Sequence, residues 1–134
     1  MLRTLAVSYW AAEERRDIDA VMAHYHQDAT YQDGAGRCQG ATEIREFYVG
    51  SVTAYPVLRV AILREYAHMD ADTAVDRDAA AGARPAAGAF EFEAVLTDPQ
   101  GRDWVIRGVN IFHVRDGRFT SVRSYEDPPA PAGP

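Results

Sequence analysis

One stretch near the C-terminus limits the possible folds more than any other. From Trp104 to Val114 the residues read as one long strand with two distinct faces. Trp104, Ile106, Gly108, Asn110, Phe112 and Val114 share one face. Val105, Arg107, Val109, Ile111 and His113 share the other. Arg115-Asp116-Gly117-Arg118 reads as a hairpin turn, and Phe119 to Tyr125 returns as a second strand. The face holding Val105 and Ile111 is too apolar for free solvent. It reads as a partly buried subunit interface, so a homodimer through the outer sheet face is expected.

The rest of the chain divides into helices first and strands second. Leu2, Leu5, Ala6, Tyr9 and Glu13 fall at helical spacing. Ile18, Val21, Met22 and Tyr25 sit at i, i+3, i+4 and i+7, the pattern of a second amphipathic helix, with Asp17 placed to cap it. A short strand over DATYQDG is closed by Gly34 and Gly36. A third helix begins after Gly40, with Ile44, Phe47, Tyr48 and Val52 on its apolar face and Tyr55-Pro56 just beyond it. Val57 to Tyr66 has the β-branched content of a strand, although Ala61 to Ala67 also suits a helix. Residues 71–88 are the least informative: DTAVDRDAA has some strand character and AGARPAAG reads as a loop. Phe90 to Thr97 alternates as a strand, and DPQGRD is a turn. The tail DPPAPAGP is proline-rich and is expected to be disordered. The expected organisation is a single domain over residues 1–127 with a tail over 128–134. Its class is α+β: three N-terminal helices packed on a curved, mostly antiparallel sheet that can enclose a pocket.

Composition narrows the function classes. With 134 residues the chain can bury a core without disulfide or metal staples. Its net charge of −6 makes it a poor partner for phosphate backbones, so no nucleic-acid partner is expected. All its basic residues are arginine or histidine, and together with the many alanines this suggests a GC-rich bacterial genome. Cys38 is the only cysteine, which permits no internal disulfide and no multi-cysteine metal site. No signal-peptide core and no stretch of roughly 18 apolar residues is visible, so a cytoplasmic protein without membrane contact is expected.

A few residues stand out for chemistry. Ala29, Tyr31 and Asp33 alternate with Thr30 and Gln32, so Asp33 shares the inward face of its strand. A carboxylate turned toward an apolar wall has its charged form disfavoured and suits proton abstraction. The commoner role for such a residue is to open an Asx-turn into Gly34. Asn110 is one amide among apolar neighbours and must find partners, in the protein or on a ligand. Gly108 beside it leaves room for a ligand or for a large neighbouring side chain. Tyr9, Tyr25 and Tyr48 are each expected on the apolar face of a different helix, where buried phenols need hydrogen-bond partners. His24-x-His26-x-Asp28 superficially looks like a metal motif, but helical residues two apart do not face each other. No metal site is expected. Glu13, Glu14, Arg15 and Arg16 read as a solvated helix end. No Ser-His-Asp signature, phosphate loop or dinucleotide fingerprint is present.

The run RDIDAVMAHYHQDATYQDGAGRCQGATEIREFYVGS resembles the nuclear transport factor 2-like superfamily, and within it the ketosteroid isomerase and SnoaL-like polyketide cyclase branch. GVNIFHVRDGRFTSVRSYED resembles that family's closing hairpin. The resemblance covers most of residues 5–127, with 68–88 poorly matched. It implies a cone-shaped α+β barrel with a deep apolar pocket, commonly dimeric. It places Asp33 at the position of the general base and Tyr9 at that of an oxyanion donor. Tyr25 and Tyr48 match tyrosines that extend the hydrogen-bond network in some members. Asn110 stands where ketosteroid isomerases carry a protonated aspartic acid as second oxyanion donor. An amide can still donate there. Tyr31, Trp104, Phe112 and Tyr125 are the expected pocket-lining residues. Gly34 replaces a common proline, and Glu126 replaces an aromatic that often lines the steroid pocket. YQD faintly resembles limonene epoxide hydrolases, whose Asp-Arg-Asp set is not visible here.

The resemblance implies a cofactor-independent isomerase acting on a small apolar carbonyl compound, steroid- or polyketide-like. Asp33 would be the base and Tyr9 and Asn110 the oxyanion hole. A cyclase or epoxide-opening enzyme of secondary metabolism would use the same site differently. A non-catalytic ligand-binding module would use only the fold.

Overall fold

The structure, a computed structural model, describes residues 2–66, 69–70 and 86–133, with 69–70 described in their backbone alone. Three helices open the chain: α1 (Leu2–Glu14), α2 (Ile18–Met22) and α3 (Ala41–Ala54). The strands are β1 (Tyr25–Asp33), β2 (Gly36–Gln39), β3 (Val57–Glu65), β4 (Met69–Asp70), β5 (Ala86–Thr97), β6 (Asp103–Arg115), β7 (Arg118–Glu126) and β8 (Ala130–Pro131). They form one sheet in the order β2-β1-β7-β6-β5-β3, with β4 added to β5 and β8 to β6. Only the β1–β7 pairing is parallel; the others are antiparallel. The sheet is curved and does not close, and this is the α+β cone expected from the sequence. No helix among the described residues is long and apolar enough to cross a membrane.

The long hairpin forms as the alternation predicts. Ile106, Asn110, Phe112 and Val114 are buried on the inner face of β6, while Val105, Val109 and Ile111 stay half-buried on the outer face of the single chain. Asp116 and Gly117 turn the chain with positive φ values of 53° and 74°. That is the backbone a two-residue turn needs to match the twist of its strands. Trp10 of α1 packs on the inner face, its ring centroid 5.5 Å from Phe92 and 5.4 Å from Phe112. Gly40 starts α3 at φ 86°, a backbone state costly for any residue with a Cβ. Its N–H donates to Ala29 O at 2.8 Å, tying the helix start to β1.

Several boundaries differ from expectation. The second helix stops at Met22, and Tyr25 is the first residue of β1 rather than part of a helix. Five residues make a marginal helix even with Asp17 capping Ala20 N at 3.0 Å. The Phe119 N–H donates to His24 O at 2.7 Å, so pairing with β7 captures the chain at that point. β5 begins at Ala86, four residues earlier than the alternation suggested, because Ala86 to Ala89 pair with Val114 to Ile111. The possible strand over 72–80 lies outside the described residues. The tail is not wholly disordered: Ala130 and Pro131 pair with Val105 and Trp104. Composition could not show this, because proline lacks an N–H but keeps an acceptor carbonyl.

Gly108 has a different reason from the one the sequence suggested. A Cβ there would lie 2.5 Å from Tyr125 O and 2.8 Å from the Glu126 Cβ. The glycine therefore makes room for the backbone of β7, not for a ligand. Gly108→Ala should displace the Tyr125–Glu126 segment and cost about 1–3 kcal/mol of stability. This would read as a lower urea midpoint at unchanged slope. An unchanged midpoint would contradict the close approach.

Candidate active site

The helices and the inner sheet face enclose a cavity of about 280 Å³. Its wall is mostly apolar and aromatic: Trp10, Phe47, Leu58, Phe92, Leu96 and Ile106 line it. Its polar lining comes from Tyr9, Glu13, Tyr31, Asp33, Tyr48, Ser51, Tyr55, Asn110, Ser124 and Glu126. Tyr9, Asp33 and Asn110, distant in sequence, thus reach one space. Tyr31 and Tyr48 line it as well.

Tyr9, Tyr48 and Tyr25 are joined in series. The Tyr9 and Tyr48 hydroxyls are 2.5 Å apart, and those of Tyr48 and Tyr25 are 2.6 Å apart. All three rings are buried, and burial raises each phenol above its ordinary pKa, so the hydroxyls keep their protons. Each hydroxyl has one proton to give. If Tyr9 donates into the cavity, Tyr48 can donate to Tyr9 and Tyr25 to Tyr48. Given that first donation, the rest of the order follows from proton counting.

Asn110 is 4% exposed, and its Oδ1 has no hydrogen-bond partner among the described residues. An unsatisfied buried amide oxygen costs about 1–3 kcal/mol. A half-turn of the amide presents either its oxygen or its NH₂ to the same space. The group is therefore a ready partner for a polar ligand atom.

Asp33 opens an Asx-turn and also lines the cavity. Its Oδ1 accepts from Ala35 N at 2.8 Å and from Gly36 N at 3.2 Å, which is an Asx-turn. Among the described residues its Oδ2 has one hydrogen-bond partner, the Tyr31 hydroxyl, at a long 3.4 Å. One oxygen thus anchors the turn while the residue lines the cavity. The Tyr31 ring is stacked on Phe47 with centroids 4.5 Å apart, which steadies this side of the wall.

Three expected lining residues lie elsewhere. Phe112 is fully buried in the core, stacked on Phe119 at 4.7 Å, and does not reach the cavity. Trp104 sits near the sheet edge, its Nε1 donating to Asp98 Oδ2 at 3.1 Å with Arg102 over its ring. Tyr125 is 53% exposed and pairs with Val109 on the outer face. The shared parity of β6 puts Trp104 and Phe112 on the inner face, but the cavity occupies only part of that face, and Tyr125 on β7 faces outward. The two histidines of His24-x-His26 turn to different partners, His24 to Ser8 and Ala20 and His26 to the Arg115 carbonyl.

The EERR run is the main correction. Glu14 and Arg15 are exposed, but Glu13 and Arg16 are not. Their side chains are only 14% and 10% exposed. Glu13 lies one helical turn beyond Tyr9 and enters the cavity lining. Arg16 donates to Tyr55 O at 2.8 Å and Ser51 Oγ at 3.2 Å, clamping the end of α1 to the end of α3. Its closest approach to the Glu13 carboxylate is 3.6 Å, too long for a hydrogen bond. Burial pushes the Glu13 carboxyl up to about 7, opposed by the Arg16 charge and the Tyr9 hydroxyl. Spacing from Tyr9 was the available signal, hidden by three charged neighbours. Glu126, where an aromatic was expected by resemblance, is also raised: by desolvation first, against the Ser124 hydroxyl at 3.2 Å, with the Asp33 charge adding.

A helical layer over a curved sheet with a polar-tipped aromatic cavity defines the ketosteroid isomerase-like, NTF2-like class of α+β cones. A sequence profile of the SnoaL-like domain matches residues 6–122, and the chain belongs to that family. Similar folds include a proposed aromatic ring hydroxylase from Novosphingobium aromaticivorans, with TM-score 0.79, 19% identity, and coverage of 98% of this chain and 90% of that one. An LEH-like epoxide hydrolase from M. tuberculosis has TM-score 0.68 and 22% identity, covering 92% of this chain and 80% of that one. A Catenulispora acidiphila protein with a ketosteroid isomerase-like fold, in complex with trimethylamine, has TM-score 0.70 and 16% identity, covering 90% and 83%. At these identities the likeness is one of fold. No curated protein matches the sequence.

The Glu13 environment predicts a pH dependence of stability. Between its ordinary value of 4.5 and about 7, folded Glu13 holds a proton that the unfolded chain has released. Stability from this group is therefore lost as pH rises through that window. Glu13→Gln should match the parent near pH 4 and exceed it above pH 7, by at most about 3 kcal/mol. Urea melts across pH check this. Parallel curves for parent and variant would contradict it.

Proposed function

We propose that this protein is a cofactor-independent enzyme that moves a proton on a small apolar carbonyl compound. The observation that carries the reading is that Asp33, Tyr9 and Asn110 line one apolar cavity, with Tyr9 backed by two further buried hydroxyls. The substrate carbonyl oxygen sits against the Tyr9 hydroxyl and the Asn110 amide. The carbon beside the carbonyl faces Asp33 Oδ2. Asp33 takes the α proton of a β,γ-unsaturated ketone; the C–H electron pair becomes the π bond from the α carbon to the carbonyl carbon, and the carbonyl π pair moves onto oxygen, giving a dienolate. Tyr9 and Asn110 donate to that oxygen, and the charge is met by dipoles already oriented, with little water to reorganise. Tyr48 and Tyr25 donate along the chain and polarise Tyr9. The protonated Asp33 then returns its proton to the γ carbon. Atoms and charge balance without a second reactant.

The walls favour a compact apolar body. The charged Glu126 at the cavity edge disfavours the extended ring system of a steroid, so a smaller ketone is the better substrate within this reading. The single free Cys38 fits a cytoplasmic site of action.

Wild-type protein incubated with 3-cyclohexenone, and in parallel with a β,γ-unsaturated ketosteroid, should generate conjugated-enone absorbance with at least one of them. Asp33→Asn should lose nearly all of that turnover while remaining folded, and Tyr9→Phe should lose about 100- to 1000-fold. Undiminished turnover in Asp33→Asn would refute the mechanism. Silence of the wild type with both ketones would favour ring closure or epoxide opening.

A further inference from the structure

Glu13 has no assigned part in that reaction, yet its side chain is almost enclosed, lines the cavity and lies on the helix face of Tyr9. We propose that Glu13 is a third catalytic donor: in its protonated form it hydrogen-bonds the same ligand oxygen that Tyr9 receives. This rests on the oxyanion reading above and adds to it the protonation state in which the site works.

The surroundings of Glu13 support the neutral acid. Arg16, just beyond the end of α1, is the cation beside it, and its short hydrogen bonds go to Tyr55 O and Ser51 Oγ instead of to the carboxylate. From α1 and α3 it meets the phenols of Tyr9 and Tyr48, and from β1 those of Tyr25 and Tyr31. All four keep their protons, since burial raises each of them. The end of β7 contributes Glu126, a like charge, and Asp33 closes β1 on the same cavity. The cavity faces of β3, β5 and β6 bring Leu58, Val60, Phe92, Ala94, Leu96, Ile106 and the uncharged Asn110. The Arg16 charge 3.6 Å away and the Tyr9 hydroxyl offset only part of the desolvation of an anion at Glu13, so the acid form is retained up to about pH 7.

The chemical consequence follows from charge. A protonated Glu13 offers an O–H to an oxyanion and so strengthens its binding. An ionised Glu13 offers none and repels it. Binding of an oxyanion is thereby tied to one proton on Glu13, and no bond is made or broken at the residue itself.

The test uses 3,4-dinitrophenolate as an oxyanion probe, ionised over the whole range from about pH 6 to about pH 8.5, titrated into wild type, Glu13→Gln and Tyr9→Phe. Wild-type affinity should be level below about pH 7 and fall toward tenfold per pH unit above it. Glu13→Gln keeps an N–H donor without a titrating group, so its affinity should stay level across the range. A purely structural role would not flatten the profile. Tyr9→Phe should bind more weakly at every pH and keep the wild-type slope. A wild-type profile that is flat, or a slope that persists in Glu13→Gln, overturns the assignment of Glu13 while leaving the oxyanion reading intact. If the probe fails to bind, or if Tyr9→Phe binds as well as wild type, the oxyanion reading itself fails, and this proposal with it.

Discussion

The series of hydroxyls from Tyr25 through Tyr48 to Tyr9 is the interaction on which the site depends. It joins the first residue of β1, the middle of α3 and the inner face of α1. Each phenol would be costly to bury alone, and each is satisfied by its neighbour. The rings also pack as core, with Tyr9 against Phe112 and Phe119 at 5.8 and 5.3 Å. The same side chains therefore hold the helices on the sheet and leave one hydroxyl at the cavity. Because each oxygen carries a single proton, the chain can deliver a donor at the Tyr9 end with no rearrangement of the protein.

Charge around the cavity is unevenly distributed in a way that bears on chemistry. Two carboxyl groups have opposite hydrogen-bonding conditions. Asp33 accepts two backbone N–H groups on Oδ1, which holds its carboxylate in the Asx-turn. Glu13 is enclosed, and that desolvation, opposed by the Arg16 charge 3.6 Å away, favours its protonated form. The Asn110 amide, whose Oδ1 has no hydrogen-bond partner among the described residues, completes the set of polar groups available to a ligand.

Much of the fold was legible because the hydrophobic periods are clear. The β6–β7 hairpin, α3 and the inward set Ala29, Tyr31 and Asp33 all follow from alternation or helical spacing. The failures have local causes. Tyr25 was assigned to a helix because its spacing from Ile18 and Val21 is helical, whereas pairing with Phe119 decides its structure. Phe112 and Tyr125 were placed on the cavity wall because parity or resemblance says nothing of where along a sheet a cavity begins. Glu13 was hidden in a charged run whose two middle members, Glu14 and Arg15, are indeed solvated. Gly108 was legible as a place where space is needed, but the reading of a ligand or large side chain there missed the β7 backbone that occupies it. Only three-dimensional placement showed that Pro129, in the proline-rich tail, also reaches the cavity.

The central claim is that the deep polar end of the cavity is built to receive an oxyanion. A crystal structure with a bound phenolate tests it most directly. The account predicts the phenolate oxygen within hydrogen-bond reach of both the Tyr9 hydroxyl and the Asn110 amide, with the ring directed toward Asp33. A phenolate bound with its oxygen at the Glu126 edge, or outside this cavity, would contradict it.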